Sequence, residues 1–289
     1  MKSSSKGALI VLFSSVLYAI ISTISKALLN DGLSALGVLG LRYIGAVLIF
    51  GLILLFWNRK LFRIEKKDWP ALLLLSICLF TNATGYNVSM KFLDMSIAVV
   101  LLYTYPAMVA VASVFMFHNR ISCNIVIALL LTFGGMLLTL NLFTADIGEI
   151  SVLGIILVLL GSAGSAAYVL VAKKLTKKYH SLTLNFYTFL FTSLCLGACF
   201  PFVDIGASLS TLDMCGIILT AFVVAGAFFC YTLGIKYLLP SKAAIICSSE
   251  PAFGIIFAAV LLGETITLSQ GLGAILVISA IVILQFNKE

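Results

Sequence analysis

Ten apolar stretches of about 20 residues each divide this sequence almost from end to end, and no water-soluble fold accommodates them. They run from Gly7 to Leu28, Ala35 to Trp57, Trp69 to Met90, Met95 to Phe117 and Ser122 to Leu142. The second five run from Val152 to Ala172, Thr183 to Val203, Thr211 to Ile235, Lys242 to Leu262 and Leu268 to Phe286. Each is long enough to cross about 30 Å of hydrocarbon. With 62% hydrophobic and only 10% charged residues, the surface calls for lipid as its main solvent, since a soluble domain is about a quarter charged. The connecting segments are too short for a soluble domain. The expected fold is all-α, a polytopic membrane protein of ten transmembrane helices.

The net charge of +7 does not mark a nucleic-acid binder, because the basic residues lie in short gaps between the apolar runs. With an even number of spans both termini share a side. That side collects fifteen cations: Lys2, Lys6, Arg59, Lys60, Arg63, Lys66, Lys67, Arg120, Lys173, Lys174, Lys177, Lys178, Lys236, Lys242 and Lys288. Three, Lys26, Arg42 and Lys91, fall to the other side, which also takes most of the acidic residues: Asp31, Asp94, Asp146, Glu149, Asp204, Asp213 and Glu264. Positive charge accumulates on the cytoplasmic side, so both termini are expected there, in an inner or plasma membrane. Lys2 and Lys6 ahead of an apolar run mimic a signal peptide, but the run is too long and no small-residue cleavage site follows, so it is expected to remain as the first span. The seven cysteines show neither CxxC pairs nor metal-ligand spacing and are read as small apolar residues. His118 and His180 fall in loops and suggest no metal or catalytic site.

A shift of 145 residues aligns Tyr86–Ile121 with Tyr231–Ile266 without a gap, with eight identities in 36 positions, among them Tyr86/Tyr231, Lys91/Lys236, Ser96/Ser241 and Pro106/Pro251. A shift of 147 pairs Gly7 with Gly154 and Lys26 with Lys173. The expected units are residues 1–145 and 146–289, each of five helices. Five is odd, so the second unit enters the membrane the opposite way round. Inverted repeats of this kind are the usual frame of alternating-access carriers, which bind substrate near the midplane between the repeats.

The stretch Tyr231-Thr-Leu-Gly-Ile-Lys-Tyr, then Ser241-Lys-Ala-Ala, Glu250-Pro251 and Gly263-Glu264-x-x-Thr267-x-x-Gln270-x-x-Gly273, resembles the second half of an EamA-type member of the drug/metabolite transporter superfamily. The first half carries a looser version, with Arg42-Tyr43 in the second span and Pro106 in the fourth, and departs from it at His118-Asn119-Arg120. The resemblance covers essentially the whole chain. It implies ten helices and the export of amino acids or other metabolites, without specifying one.

Polar residues at membrane depth supply the candidate substrate site: Arg42, Asn82, Tyr86, Tyr103, Tyr105, Tyr231, Ser248 and Glu250. Glu250 sits near the centre of the ninth span. A carboxyl there costs about 2.5–3.5 kcal/mol on insertion scales, so it faces the bundle interior or a wet cavity, as a proton carrier or as a protonated group bonded to a neighbour. Tyr105 is its repeat partner, and each precedes a proline that removes a helical hydrogen bond, so both helices are expected to kink at the midplane. Arg42 lies roughly 10 Å inside the second span; it either snorkels outward or turns inward to a carboxylate. Asn82 and Tyr86 share one face of the third span, with Ser89 beyond them. Tyr168 and Tyr187 add hydroxyls. Gly161 and Ser165 in the sixth span, and Ser14, Ser15, Ser22 and Ser25 in the first, are read as close helix packing. Lys26, Lys91, Lys173 and Lys236 are read as anchors at span ends. The cavity is expected among spans three, four, eight and nine.

The expected function is therefore a secondary transporter that takes a small-molecule substrate across the lipid bilayer, working as a monomer or homodimer with no cofactor and no nucleic acid. Two alternatives stand beside it. An intramembrane enzyme would need a nucleophile with its base, or metal ligands, and the spans offer no histidine, no aspartate and one deep glutamate. A non-transporting scaffold would not need an inverted duplication. There is no phosphate-binding Walker loop for ATP.

Overall fold

The computed structural model describes residues 3–118, 121–140, 151–199, 209–263 and 265–286. Twelve α-helices build it, with no strand among the described residues: α1 Ser3–Asn30, α2 Ala35–Trp57, α3 Trp69–Ser89, α4 Met95–Leu102, α5 Tyr105–Phe117 and α6 Cys123–Thr139, then α7 Val152–Leu175, α8 Ser181–Cys199, α9 Thr211–Ile235, α10 Pro240–Cys247, α11 Glu250–Leu262 and α12 Leu268–Phe286. Taking α4 with α5 and α10 with α11 as single spans, eight are long and apolar enough to cross a membrane, and Cys123–Thr139 and Leu268–Leu284 form two shorter apolar helices. Ten helices in two inverted five-helix repeats result. The spans expected to end at Leu142 and Val203 run out of the described residues, as do Lys2, Asn119, Arg120, Asp146, Glu149, Asp204, Glu264 and Lys288.

Local chemistry sets the helix ends. Ser34 accepts from the Gly37 amide at 3.1 Å, and Ser210 and Asp213 cap each other's backbone amides at the start of α9, so donors left over at helix N-termini find acceptors. The four described prolines, Pro70, Pro106, Pro240 and Pro251, all occupy the first turn of a helix, where a missing N–H costs nothing. In the fourth and ninth spans this goes further than the expected kink. Each span is interrupted by a two-residue turn, Tyr103-Thr104 and Ser248-Ser249, and restarts as a new helix at the residue before proline.

The repeats interlock rather than standing side by side. Helix α3 of the first repeat packs chiefly on α7 of the second, α1 on α9, α2 on α8 and α6 on α12. Glycines let these backbones approach. A Cβ on Gly85 would lie 2.6 Å from Leu157 O and 2.9 Å from Gly161 N, one on Gly234 would lie 2.4 Å from a Val11 methyl, and one on Gly273 would lie 2.4 Å from Gly135 O. The breaks show the same relation. Ser15 of α1 shares a 2.9 Å hydrogen bond with Ser249, and the repeat-related pair, Ser162 of α7 and Thr104, shares one of 2.9 Å. Helix α5 ends on His118 at φ 56 where α11 ends on Gly263 at φ 70, so both repeats use a left-handed terminator although the residues differ.

Lys242, expected among the loop cations, is buried at 3% exposure in the first turn of α10.

Candidate functional site

A cavity of about 450 Å³ lies between the repeats. Its walls come from α1 (Tyr18, Ser22, Ser25, Lys26), α2 (Arg42, Tyr43), α3 (Asn82, Tyr86), the α4/α5 break (Tyr103, Tyr105), α7 (Ser165, Tyr168), α9 (Phe228, Tyr231) and the α10/α11 break (Cys247, Glu250). The lining reaches the helix ends on one face only, where Leu29, Asn30, Ala35, Met90 and Met95 flank the α1–α2 and α3–α4 connections. Toward the face that bears the termini it goes no further than the α7 turn at Tyr168 and Tyr231 of α9.

At the floor, Glu250 opens the first turn of α11, where the unpaired N–H groups of a helix start favour a negative charge. Ser22 donates to its Oε1 at 2.6 Å and Tyr103 donates to its Oε2 at 2.9 Å. Both donors belong to the first repeat, so the carboxylate bridges the two. Arg42 is half-buried and turned into the cavity, not toward lipid headgroups. Its Nη1 donates to Ser25 at 3.0 Å and the guanidinium lies 5.8 Å from the Tyr43 ring centre. The Arg42 Nε and the Tyr168 hydroxyl, both buried, reach no hydrogen-bond partner among the described residues. A buried guanidinium N–H without an acceptor is costly, and an anionic ligand group would supply one.

Of the eight sequence-derived candidates, Arg42, Asn82, Tyr86, Tyr103, Tyr105, Tyr231 and Glu250 line this one cavity. Two of them are partly committed elsewhere. Asn82 donates to Ser165 at 2.5 Å across the α3–α7 seam, and Tyr105 donates to Ala244 O at 3.1 Å. Ser248 is not in the lining. It is 1% exposed and its hydroxyl returns to Ala244 O at 3.0 Å, because the break leaves that carbonyl within reach of a serine four residues on. Helices α1, α2 and α7 contribute as much wall as the expected spans do. Ser22 and Ser25, read as packing, contact the two charged groups, and Tyr18 was missed. The available signal was their spacing: positions 18, 22 and 25 fall on one face of α1.

The face that bears the termini is sealed by bonds within the second repeat, from Lys173, and by bonds between the repeats, from Lys178, Tyr179, Thr183 and Tyr187. Lys173 Nζ donates to Ile235 O at 2.9 Å, Lys236 O at 3.1 Å and Leu238 O at 2.7 Å. Lys178 pairs with Asp68 and, at 2.7 Å, with Glu65. Tyr179 donates to Asp68 at 2.5 Å and accepts from the Glu65 amide at 3.2 Å. Thr183 and Tyr187 donate to Leu61 O and Phe62 O, each at 2.8 Å. Lys178, then Lys67, hold the Glu65 carboxyl below its ordinary range.

Inverted repeats around a cavity closed at one end, with a few polar groups on its walls, define a membrane transporter. The chain belongs to the EamA-like transporter family, whose sequence model matches it twice, over residues 5–141 and 152–286. Two proteins of Archaeoglobus fulgidus, each named an uncharacterized transporter, are similar to it. One is 27% identical over 267 residues, 91% of this chain and 92% of its own. The other is 25% identical over 261 residues, 87% of this chain and 88% of its own. A solved crystal structure shares the fold with a TM-score of 0.84 at 14% identity, covering 97% of this chain and 96% of the other.

Proposed function

We propose that this protein is a secondary carrier that exports amino acids or related small zwitterionic metabolites across the cell membrane by alternating access, with protons as the exchanged ion. The observation that carries this reading is the pairing of Arg42 and Glu250 in one cavity open at a single end. The volume falls in the range of small-molecule sites, about 300–1,000 Å³. A substrate carboxylate takes the free donors of Arg42. An ammonium takes the place of the Ser22 and Tyr103 protons on Glu250, and the apolar remainder lies against Tyr18, Tyr168 and Phe228.

The lysine and arginine bias puts the termini in the cytoplasm, and the open end then faces outward. A substrate ammonium and a proton compete for the Glu250 carboxylate. Substrate carried out is then replaced by a proton carried in, which is the direction a proton gradient drives. One chain holds a complete cavity, so a monomer or a homodimer performs the same cycle.

The test is reconstitution into liposomes with an imposed pH gradient and a panel of labelled amino acids. Wild type moves at least one of them in a gradient-dependent way. Glu250→Gln keeps part of the binding and loses the dependence on the gradient. A wild type that moves none of the panel, or a Gln variant with full gradient-driven transport, refutes the reading.

A further inference from the structure

We propose that a second, latent vestibule lies between the cavity and the face that bears the termini, walled by Asn185, Thr188, Tyr231 and Thr232, and that it opens to that face when the present cavity shuts. This rests on the alternating-access reading above. Two independent observations meet in it.

The first is the chemistry of a closed core. Asn185, Thr188 and Thr232 are fully buried and Tyr231 is 5% exposed. Asn185 donates to Thr232 at 2.9 Å, joining α8 to α9. The Asn185 Oδ1, the Thr188 hydroxyl and the Tyr231 hydroxyl reach no hydrogen-bond partner among the described residues. Tyr105 adjoins Tyr231, but its proton goes to Ala244 O. Each unpaired group forfeits its hydration in a sealed interior, and apolar side chains would fill the same space without that penalty. A conformation that wets them removes it. The cluster also stands at the right depth. Thr188 is seven residues from the start of α8 and Tyr231 four from the end of α9, so both lie within about 10 Å of the sealed face at 1.5 Å per residue.

The second is the repeat. At a shift of 146 the buried side of α2 falls on that of α8, with Leu39, Tyr43, Ala46 and Phe50 on Asn185, Phe189, Thr192 and Leu196. That register puts Thr188 at the place of Arg42. The shift of 145 puts Tyr231 and Thr232 at the places of Tyr86 and Asn87. Leu39, Arg42, Tyr86 and Asn87 all line the open cavity. The buried polar cluster therefore occupies, in the second repeat, the positions that form the open wall in the first. In an inverted-repeat carrier the repeats exchange conformations when access switches, so the closed wall of one state is the open wall of the other.

The latent wall differs in one respect. Where the open end presents the Arg42 guanidinium, it presents the neutral Thr188 hydroxyl. A zwitterionic solute entering from the termini face thus meets hydrogen-bonding groups before it meets Arg42.

Cysteine labelling on the full chain in lipid nanodiscs tests this without any substrate. Thr188→Cys and Thr192→Cys are matched, near-isosteric changes one turn apart on the buried side of α8, but Ala46, the counterpart of Thr192, does not line the open cavity. A charged thiol reagent is added and the modified residue is located by peptide mass spectrometry, so the seven native cysteines stay in place. Position 188 reacts roughly tenfold faster than position 192, because only the former is wetted in the minor state. Asp68→Asn weakens the seal with Lys178 and Tyr179. It speeds labelling at position 188 by about threefold to fivefold, the size of an exposed ion pair, and leaves position 192 unchanged. Thr232→Cys, whose counterpart Asn87 lines the cavity, repeats the measurement on α9 and decides the matter should Thr188→Cys not fold. Equal labelling at 188 and 192, no labelling at 188 and 232, or a rate at 188 indifferent to Asp68→Asn overturns the proposal. The expected pattern without transport of the amino-acid panel would condemn the proposed substrate and keep the vestibule; transport without the pattern would do the opposite.

Discussion

Replacing Gly85 by alanine puts one methyl group into a seam where the backbones of the two repeats touch. The new Cβ stands 2.6 Å from Leu157 O, 2.9 Å from Gly161 N and 3.0 Å from Gly161 Cα, all backbone atoms that cannot rotate away. Ordinary contact begins at 3.4 Å, so α3 and α7 must separate locally by roughly 0.8 Å. Overpacking of this kind costs about 1–3 kcal/mol, and the separation also stretches the bond from Asn82 to Ser165. Alanine recovers about 1 kcal/mol as the better helix former, leaving a net loss of up to about 2 kcal/mol. Gly40→Ala is the control, since a Cβ there meets nothing within 4 Å; it gains helix propensity with no clash. Thermal unfolding of both variants in the same detergent, followed by intrinsic fluorescence, should lower the midpoint for Gly85→Ala and raise or preserve it for Gly40→Ala. Equal midpoints for the two would refute the claim that backbone contact across α3 and α7 holds the repeats together.

Three further outcomes follow. Arg42→Gln should weaken binding of a transported amino acid by about tenfold to a hundredfold, the loss of a charged hydrogen bond, and leave binding of the corresponding amine without its carboxylate unchanged, as read by calorimetry. His118→Gly relieves a left-handed residue with a side chain at φ 56 and should raise the unfolding midpoint by the equivalent of about 0.5–1 kcal/mol. The Lys178 cluster should contribute constant stability from about pH 5 to pH 10. Glu65 is held below its ordinary 4.5 by Lys178 and Lys67, so its contribution is present above that value and is lost as pH falls through the folded pKa. Lys178 is raised above its ordinary 10.5 by Asp68 and Glu65, so its contribution is present below that value and is lost as pH rises through the folded pKa. The midpoint difference between wild type and Lys178→Met, measured against pH, should be flat in between and shrink at both extremes.

The ten helices and their duplication were legible in the sequence because lipid imposes a length and a composition on every span, and because an odd-numbered repeat admits one relative orientation. Proline positions located the interruptions at Tyr103 and Ser248 but not their form, since proline removes one hydrogen bond and the surroundings decide whether the helix bends or restarts. The site was half legible. A deep glutamate has few places to go, and Glu250 lies where its cost demanded. Serines are ambiguous, because a hydroxyl in a membrane helix satisfies itself on its own backbone as readily as on a partner. Ser22 meets Glu250 from 228 residues away, while Ser248 bonds four residues back on its own chain. Sequence spacing does not separate these two fates.

The two repeats are alike in backbone and unlike in chemistry at one decisive pair. Tyr105 and Glu250 stand at equivalent positions, each first in the helix that follows a break. The Tyr105 hydroxyl is spent on Ala244 O of the other repeat, which fastens the first break to α10. Glu250 instead holds Ser22 and Tyr103, both from the first repeat, through hydrogen bonds that need an acceptor at each oxygen. In the proposed cycle the repeats exchange conformations, so these cross-repeat bonds must part and re-form. A protonated Glu250 gives up one of its two acceptor sites and loosens that bridge, whereas the ionised carboxylate keeps both donors. In that proposed cycle the two related conformations come from the symmetry of the fold, and the carboxyl that stands in one repeat only is the group through which a proton would choose between them.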